Sequence, residues 1–523
     1  MPARIESIDV SVEELERLVD AAGSGPLPAE GQQKLKAAVR TLGAVADLLA
    51  ARDATIQQLR ALLSVPRTTE KTRKVLNVAP PAEPPRDVTT KRKKGHGRRA
   101  AGEYVGAQKV SVPHPDLHVA DHCPECQKGK VYPLSEPKKL VRIVGRPPLQ
   151  ATVYELHALR CNLCGDVFTP PTPAAAGPEK YDATAVSMIA LLKYGSGVPW
   201  YRLEGLERHL GIPLPVATQW ELVAAAAARL EPVWAELIRQ AAQGQLLHND
   251  DTSMRILHFQ RAVSDPRTGL FTSGIVSVFA RQRIALFFTG RQHAGENLID
   301  LLRQRAAELP PPMQMCDALS RNAPEPLRVI LGNCLAHARR YFVDVVNSFP
   351  DECRYVLETL AAVFHHDALA RERALPADER LLFHQQHSLP RMEELHAWCR
   401  QQLDERKVEP NSGLGKAIQY LLRHWPELTL FLRQAGAPLD NNLCERALKK
   451  AILHRKNALF YRTQNGAKVG DLFMSLIHTA ELSGVNPFDY MTELLRQPDL
   501  KTNPTQWMPW NYRVTLVDSG IAA

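Results

Sequence analysis

The chain has 523 residues, 45% of them hydrophobic and 23% charged, with a net charge of +9 and a pI near 9.0. That length is more than one core serves, so roughly two to four domains are expected, and the ordinary composition excludes fibrous and disordered classes. Val186-Ser-Met-Ile-Ala-Leu-Leu192 stops at Lys193, short of a membrane span, and Met1-Pro-Ala-Arg-Ile-Glu-Ser7 has no apolar signal core. A cytoplasmic protein with an anionic partner is expected.

Leu35, Leu42, Leu49, Ile56 and Leu63 recur at seven-residue intervals. The spacing fits a coiled coil that would make the protein a homo-oligomer, or an amphipathic helix packed on its own chain. This N-terminal helical segment is assigned to residues 1–66. Pro, Thr and charge then dominate a basic linker over 67–112, which contains Pro80-Pro-Ala-Glu-Pro-Pro85 and the run Lys91-Arg92-Lys93-Lys94-Gly-His-Gly-Arg98-Arg99. Such a run is either a solvated tail or an arm that follows nucleic-acid phosphates.

Cys123-Pro-Glu-Cys126 and Cys161-Asn-Leu-Cys164 follow, separated by two strand-like runs, Leu140–Val144 and Ala151–His157. Two short Cys-x-x-Cys turns brought together by strands can present four thiolates to one structural zinc, with His118 or His122 as substitute ligands. A zinc-ribbon-like module over 113–172 is the expectation. The five other cysteines are scattered, which fits a reducing compartment better than a disulfide framework. Residues 178–243 read as helical. Trp200–Leu210, the turn Gly211-Ile-Pro-Leu-Pro215 and Thr218-Gln-Trp-Glu-Leu222 suit either a DNA-binding helix-turn-helix or a plain helical hairpin.

Strand periodicity begins after Gly244. Leu246–Asn249, Gly274–Phe279 and Ile284–Phe288 are followed by a helical segment, Glu296–Leu302, and by Met313–Cys316. Three strands, a helix and a fourth strand is the order of a ribonuclease-H-like mixed sheet. Asp250 then falls on the first strand and Asp317 at the end of the fourth. The domain is expected over 244–490, interrupted by a helical insertion at about 350–435, with a tail over 491–523. The fold class is therefore multidomain α/β.

The third acid is Glu445, in the helix that opens at Asp440-Asn-Asn-Leu-Cys-Glu-Arg446 and carries Lys449, Lys450, Arg455 and Lys456. Three carboxylates from a strand, a strand end and a helix suit Mg²⁺, and cations beside them suit a DNA backbone. Asn442 and Glu445 also fit a helix capping box, and Asp251 is an alternative partner for Asp250.

These residues resemble the transposases of the insertion sequence 66 family. The likeness rests on the Gly-His-Gly-Arg arm, the paired Cys-x-x-Cys motifs, Glu179-Lys-Tyr-Asp-Ala-Thr184 and Leu191-Leu-Lys-Tyr-Gly-Ser196. It continues through His248-Asn-Asp250-Asp251-Thr252, Cys334-Leu-Ala-His-Ala-Arg-Arg340, Asp440–Arg446 and Arg455-Lys-Asn457. The resemblance implies a DDE enzyme that binds the inverted ends of its element, cuts them and joins them to target DNA. Asp250, Asp317 and Glu445 would be its acids, and helper proteins encoded by the element its partners. Many DDE enzymes carry a base seven positions after the glutamate; here that position is Ile452, leaving the role to Lys449 or Arg455. A non-catalytic zinc-containing DNA-binding protein and a nuclease of the same fold are the competing readings.

Overall fold

A computed structural model describes residues 17–21, 28, 30–39, 72–76, 101, 104, 107 and 109–518, except 135–138, 146, 165, 261–266, 280 and 323–327. Most of the heptad positions and all of Lys91, Arg92, Lys93, Lys94, Arg98 and Arg99 lie outside the described residues. The chain forms two units, one of residues 80–150 and one of residues 1–79 with 151–523.

In the smaller unit a tight turn is built around Cys123. Its N–H donates to Gly129 O at 2.8 Å and its carbonyl accepts from Gln127 N–H at 2.8 Å, while His122 and Lys130 form a β-bridge. The larger unit contains a two-residue hairpin, Leu159–Arg160 against Val167–Phe168, around the second cysteine pair. The expected strands at Leu140–Val144 and Ala151–His157 do not form. Their apolar side chains are exposed (Ile143 81%, Val153 83%), so β-propensity finds neither a ladder partner nor a surface to cover.

The helical region runs α1 (Ala183–Ala190), α2 (Trp200–His209) and α3 (Val216–Ala241). Asp182 caps α1 by accepting from Ala185 N–H at 2.9 Å. Gly211, at φ +78°, makes the turn between α2 and α3, a conformation that costs glycine little. Leu230, Val233 and Leu237 of α3 are wholly buried, so this long helix is a core element along much of its length.

The central sheet has five strands: β1 (Leu246–Ser253), β2 (Phe271–Phe279), β3 (Gln282–Gly290), β4 (Met313–Cys316) and β5 (Ile330–Asn333), in spatial order β3-β2-β1-β4-β5. The first three are antiparallel neighbours; β1–β4 and β4–β5 are parallel. Helix α4 (Ala294–Leu302) provides the crossover from β3 to β4. β2 is buried over nearly its whole length because helices cover both faces, which explains its continuous rather than alternating apolar pattern.

After β5 come α5 (Leu335–Val345), α6 (Pro350–Glu372), α7 (Ala377–His387), α8 (Leu389–Asp404) and α9 (Gly413–Arg423). They share a core that includes Val356, Leu360, Leu395, Cys399, Ile418 and Leu421. The chain then returns to the sheet as α10 (Asn442–Ala458), α11 (Gln464–Leu482) and α12 (Pro487–Arg496).

Helix α11 closes the sheet's outer edge. Asp471, Ser475 and Thr479, four residues apart, accept from the N–H groups of Thr289, Phe287 and Ala285, two residues apart on β3, at 2.6, 3.0 and 3.1 Å. Four helical residues rise about 6 Å and two strand residues about 6.8 Å, so the two repeats stay in step over three contacts. The edge ladder is thereby satisfied by side chains instead of a sixth strand. Among the described residues no helix is long and apolar enough to cross a membrane.

Candidate active site

The first carboxylate, Asp250, lies on β1 opposite Gly274 of β2. Successive strand residues face opposite ways, so Asp250 and Asp251 belong to different faces of the sheet. On the Gly274 side lies α10, whose Cys444 thiol donates to Gly274 O at 3.2 Å. On the other side Asp251 accepts from His293 Nδ1 at 2.9 Å and pairs with Arg321 at 3.4 Å, its side chain only 2% exposed. Asp251 is thus engaged at the start of α4.

The parallel register pairs Leu246 with Met313 and His248 with Met315. Carried on by two residues, the same offset sets Asp250 level with Asp317, which directly follows β4. Asp317 Oδ1 accepts from Asn322 Nδ2 at 2.5 Å and Leu319 N–H at 3.3 Å. Glu445 lies in the first turn of α10, with its Oε1 3.8 Å from His337 Nε2 on α5. The helix starts at Asn442 with Asn441 as its N-cap and no side-chain cap bond. Glu445 is therefore the fourth helical residue, one position beyond capping-box register, and that alternative fails.

Four buried amides tie the three acid-bearing elements together. Asn249, beside Asp250, donates to Asn322 O at 3.0 Å and accepts from Gln314 of β4 at 2.9 Å. Asn441 donates to Asn249 O at 3.0 Å, meets His248 Nδ1 at 3.0 Å, and gives its backbone N–H to Cys334 Sγ at 3.2 Å. Because Asn322 also holds Asp317, one polar network fixes the strand, the strand end and the helix start relative to one another. In the sequence the Asp440-Asn-Asn442 segment marks only the opening of a helix. The usable signal was a surplus of carboxamides at core positions of strands and at a helix start, next to each acid.

Electrostatics reflect this convergence. Burial, then the charges of Asp317, Asp251 and Glu445, push the Asp250 carboxyl up to about 7, against only one backbone N–H, from Asp251. Burial lowers His248 to about 4, and burial with Arg340 nearby lowers His337. Burial pushes the Cys334 thiol up to about 12 and raises those of Cys316 and Cys444. Around the acids the imidazoles and thiols are therefore held neutral. A part-buried carboxyl with one donor, raised by the charges of Asp317 and Glu445 and of its neighbour Asp251, is a site that favours a cation.

The cations of α10 divide. Lys449, one turn after Glu445, and Lys456 are exposed, whereas Lys450 pairs with Glu481 at 2.9 Å. Arg455 donates to Thr252 Oγ1 at 3.0 Å, to Ser253 Oγ at 2.7 Å and to Ser253 O. It clamps α10 to the end of β1 and is already occupied. Cys123 and Cys126 sit in the smaller unit, and Cys161 and Cys164 in the larger. Backbone N–H groups of Gly129 and Lys128, chiefly, lower the Cys126 thiol, while Cys161 N–H donates to Asp166 O at 2.8 Å.

Two proteins of Sinorhizobium fredii are similar to this chain. "Uncharacterized protein y4jD" is 28% identical over 448 residues, covering 80% of this chain and 84% of the relative. "Uncharacterized protein y4hP" is 25% identical over 381 residues, covering 68% of this chain and 66% of the relative. The family described as Transposase IS66 family matches residues 180–469, a span from just before α1 into α11 that takes in all three acids. The chain belongs to the IS66 transposase family.

Proposed function

We propose that the chain is a DDE transposase that binds the ends of its element and performs metal-dependent cleavage and strand transfer through Asp250, Asp317 and Glu445. The observation that supports this reading is that Asp317, at the end of β4, and Glu445, in the first turn of α10, are near enough to Asp250 on β1 for their charges to raise its carboxyl. The sheet supports a ribonuclease-H-like core: three antiparallel strands, then two parallel ones, with a helical insertion between β5 and the acid-bearing helix.

Family membership implies DNA as partner and use of divalent metal. Asp250, Asp317 and Glu445 would hold Mg²⁺, which supplies the charge that stabilises an in-line displacement at phosphorus. The amide network keeps the carboxylates placed before DNA arrives, so little reorganisation is left for the reacting complex. Lys449 and Lys456 face solvent and would follow the DNA backbone, together with the arm from Lys91 to Arg99. Cys123 with Cys126, and Cys161 with Cys164, would each supply a pair of thiolates to structural zinc. The backbone donors around Cys126 suit a thiolate ligand. Homo-oligomers and helper proteins fit the heptads and the family, respectively.

The test is incubation of the purified chain with Mg²⁺ and DNA carrying the element's ends. Cut and joined products are expected from the wild type and from none of Asp250→Asn, Asp317→Asn or Glu445→Gln, while all four proteins still bind DNA. DNA binding with no metal-dependent strand chemistry in the wild type would instead make it a non-catalytic DNA-binding protein. Cleavage without joining would make it a nuclease.

A further inference from the structure

Beside the acid cluster, Cys334, His337 and Glu445 each bring one donor atom to within 4.8 Å of the others. Cys334 lies immediately before α5 and His337 is in its first turn. His337 Nε2 and Glu445 Oε1 are 3.8 Å apart, too far for a hydrogen bond. Two ligands about 2.1 Å from a shared ion are separated by ~3.4 Å at a tetrahedral angle and at most ~4.2 Å, so 3.8 Å suits an ion between them. Cys334 is fully buried, and its sulfur accepts from Asn441 N–H at 3.2 Å, which fixes the sulfur from the side of the amide network. His337 Nδ1 is buried without a hydrogen-bond partner. A neutral Cys-His pair at this position has no role in holding Mg²⁺, which takes oxygen ligands.

We propose that Cys334, His337 and Glu445 form a mixed sulfur–nitrogen–oxygen site for a first-row transition ion of the Zn²⁺ class, sharing Glu445 with the acid cluster. The thiol proton leaves to solvent as the ion binds, and no electrons move. The site goes beyond the strand-transfer reading and depends on it only through the shared glutamate. Its consequence is that a soft ion and the oxygen-bound ion compete for, or jointly anchor, one carboxylate at the start of α10.

The test is titration of the metal-stripped full-length protein with Co²⁺, reading the sulfur-to-cobalt charge-transfer and visible ligand-field bands. The two Cys-x-x-Cys pairs contribute equally in every variant and cancel in difference spectra. The wild type should take up one more tightly held ion than Cys334→Ser, with an added single-thiolate band. His337→Gln should weaken that ion at least about tenfold. Should Cys334→Ser fail to fold by circular dichroism, His337→Gln carries the comparison. Asp250→Asn should retain the band. Identical stoichiometry and spectra in wild type, Cys334→Ser and His337→Gln would overturn the site, as would loss of the ion in Asp250→Asn, which would assign it to the acid cluster. If the cobalt signature follows Cys334 and His337 while the wild type shows no strand chemistry, the site stands and the transposition reading falls.

Discussion

Asp250 on β1 and Asp471 on α11, which packs on the edge of the same sheet, are both pushed up to about 7 chiefly by burial, yet their surroundings differ in kind. Asp471 has a donor for each oxygen: Thr289 N–H at 2.6 Å and Thr289 Oγ at 2.6 Å. Asp250 has one backbone N–H and the charges of Asp317, Asp251 and Glu445 around it. Burial alone therefore does not mark a site. What marks it is an acid with one donor among like charges, beside an amide network that ties the strands and the helix start together. The edge helix uses its acid to close a structure, whereas the strand interior leaves its acid in need of a counterion.

The largest expected effect separates the two by activity. Asp250→Asn removes a charged oxygen ligand, and since such ions contribute several kcal/mol to phosphoryl transfer, cleavage and joining should fall by at least about a thousandfold. Asp471→Asn keeps one acceptor and loses the other, costing about 1–3 kcal/mol in thermal melts with the rate per folded molecule unchanged. Equal loss of activity in both variants would erase the distinction.

The next effect is in pH dependence. A carboxyl raised from 3.8 to about 7 in the folded chain stays protonated there while the unfolded chain ionises. Its cost is absent below pH 4, grows as pH rises through that window, and reaches on the order of 4 kcal/mol above 7. Asp471 adds a cost of the same sign over the same window. Mg²⁺ or Mn²⁺ should offset only the share from Asp250. Melting temperature should rise with metal more at pH 8 than at pH 5, in the wild type and Asp471→Asn but not in Asp250→Asn. A metal effect independent of pH would count against a cation at Asp250.

Asp251 sharpens the comparison further, since it adjoins Asp250 but faces α4. Asp251→Asn should lose the Arg321 pair and weaken the His293 contact, costing about 1–3 kcal/mol given that Arg321 is half exposed. Strand cleavage per folded molecule should persist. A rate as low as that of Asp250→Asn would return Asp251 to the metal.

How much of this was legible in sequence follows from which interactions are local. β-branched and aromatic runs mark β2 and β3, and strand alternation with the order of elements brings Asp250 and Asp317 together, because sheet periodicity is a local property. The amide network was not legible: Asn249, the segment holding Gln314 and Asn322, and Asn441 are far apart in the chain, and an asparagine reads alike whether exposed or buried. The side-chain closure of the β3 edge by α11 was missed for the same reason. Leu140–Val144 and Ala151–His157 mislead in the opposite direction, since propensity without a partner strand makes no ladder. Arg455, legible as a cation near DNA, is tied instead to Thr252 and Ser253, a contact across 203 positions.

The smallest effect concerns how each helix is set on the sheet. Along β3 the spacing of α11 is fixed by hydrogen bonds to Asp471, Ser475 and Thr479, whereas over Asp250 helix α10 sits on a glycine, with Leu448 closely packed beside the Cys444 bond to Gly274 O. A Cβ on Gly274 would lie 2.9 Å from Leu448 Cγ, 3.0 Å from its Cδ2 and 3.5 Å from Cys444 Sγ. Leu448 is 3% exposed and has little room to withdraw, so Gly274→Ala should lift α10 by a few tenths of an ångström. Overpacking of this kind costs about 1–2 kcal/mol. Glu445 lies one turn before Leu448, so the same shift moves a carboxylate whose placement matters on the ångström scale, and cleavage should slow about tenfold. Adding Leu448→Ala relieves the clash: the double variant should regain most of the rate while melting lower than wild type, because a cavity replaces the strain. If Gly274→Ala alone leaves both melting and rate unchanged, close packing on the glycine does not set the position of Glu445.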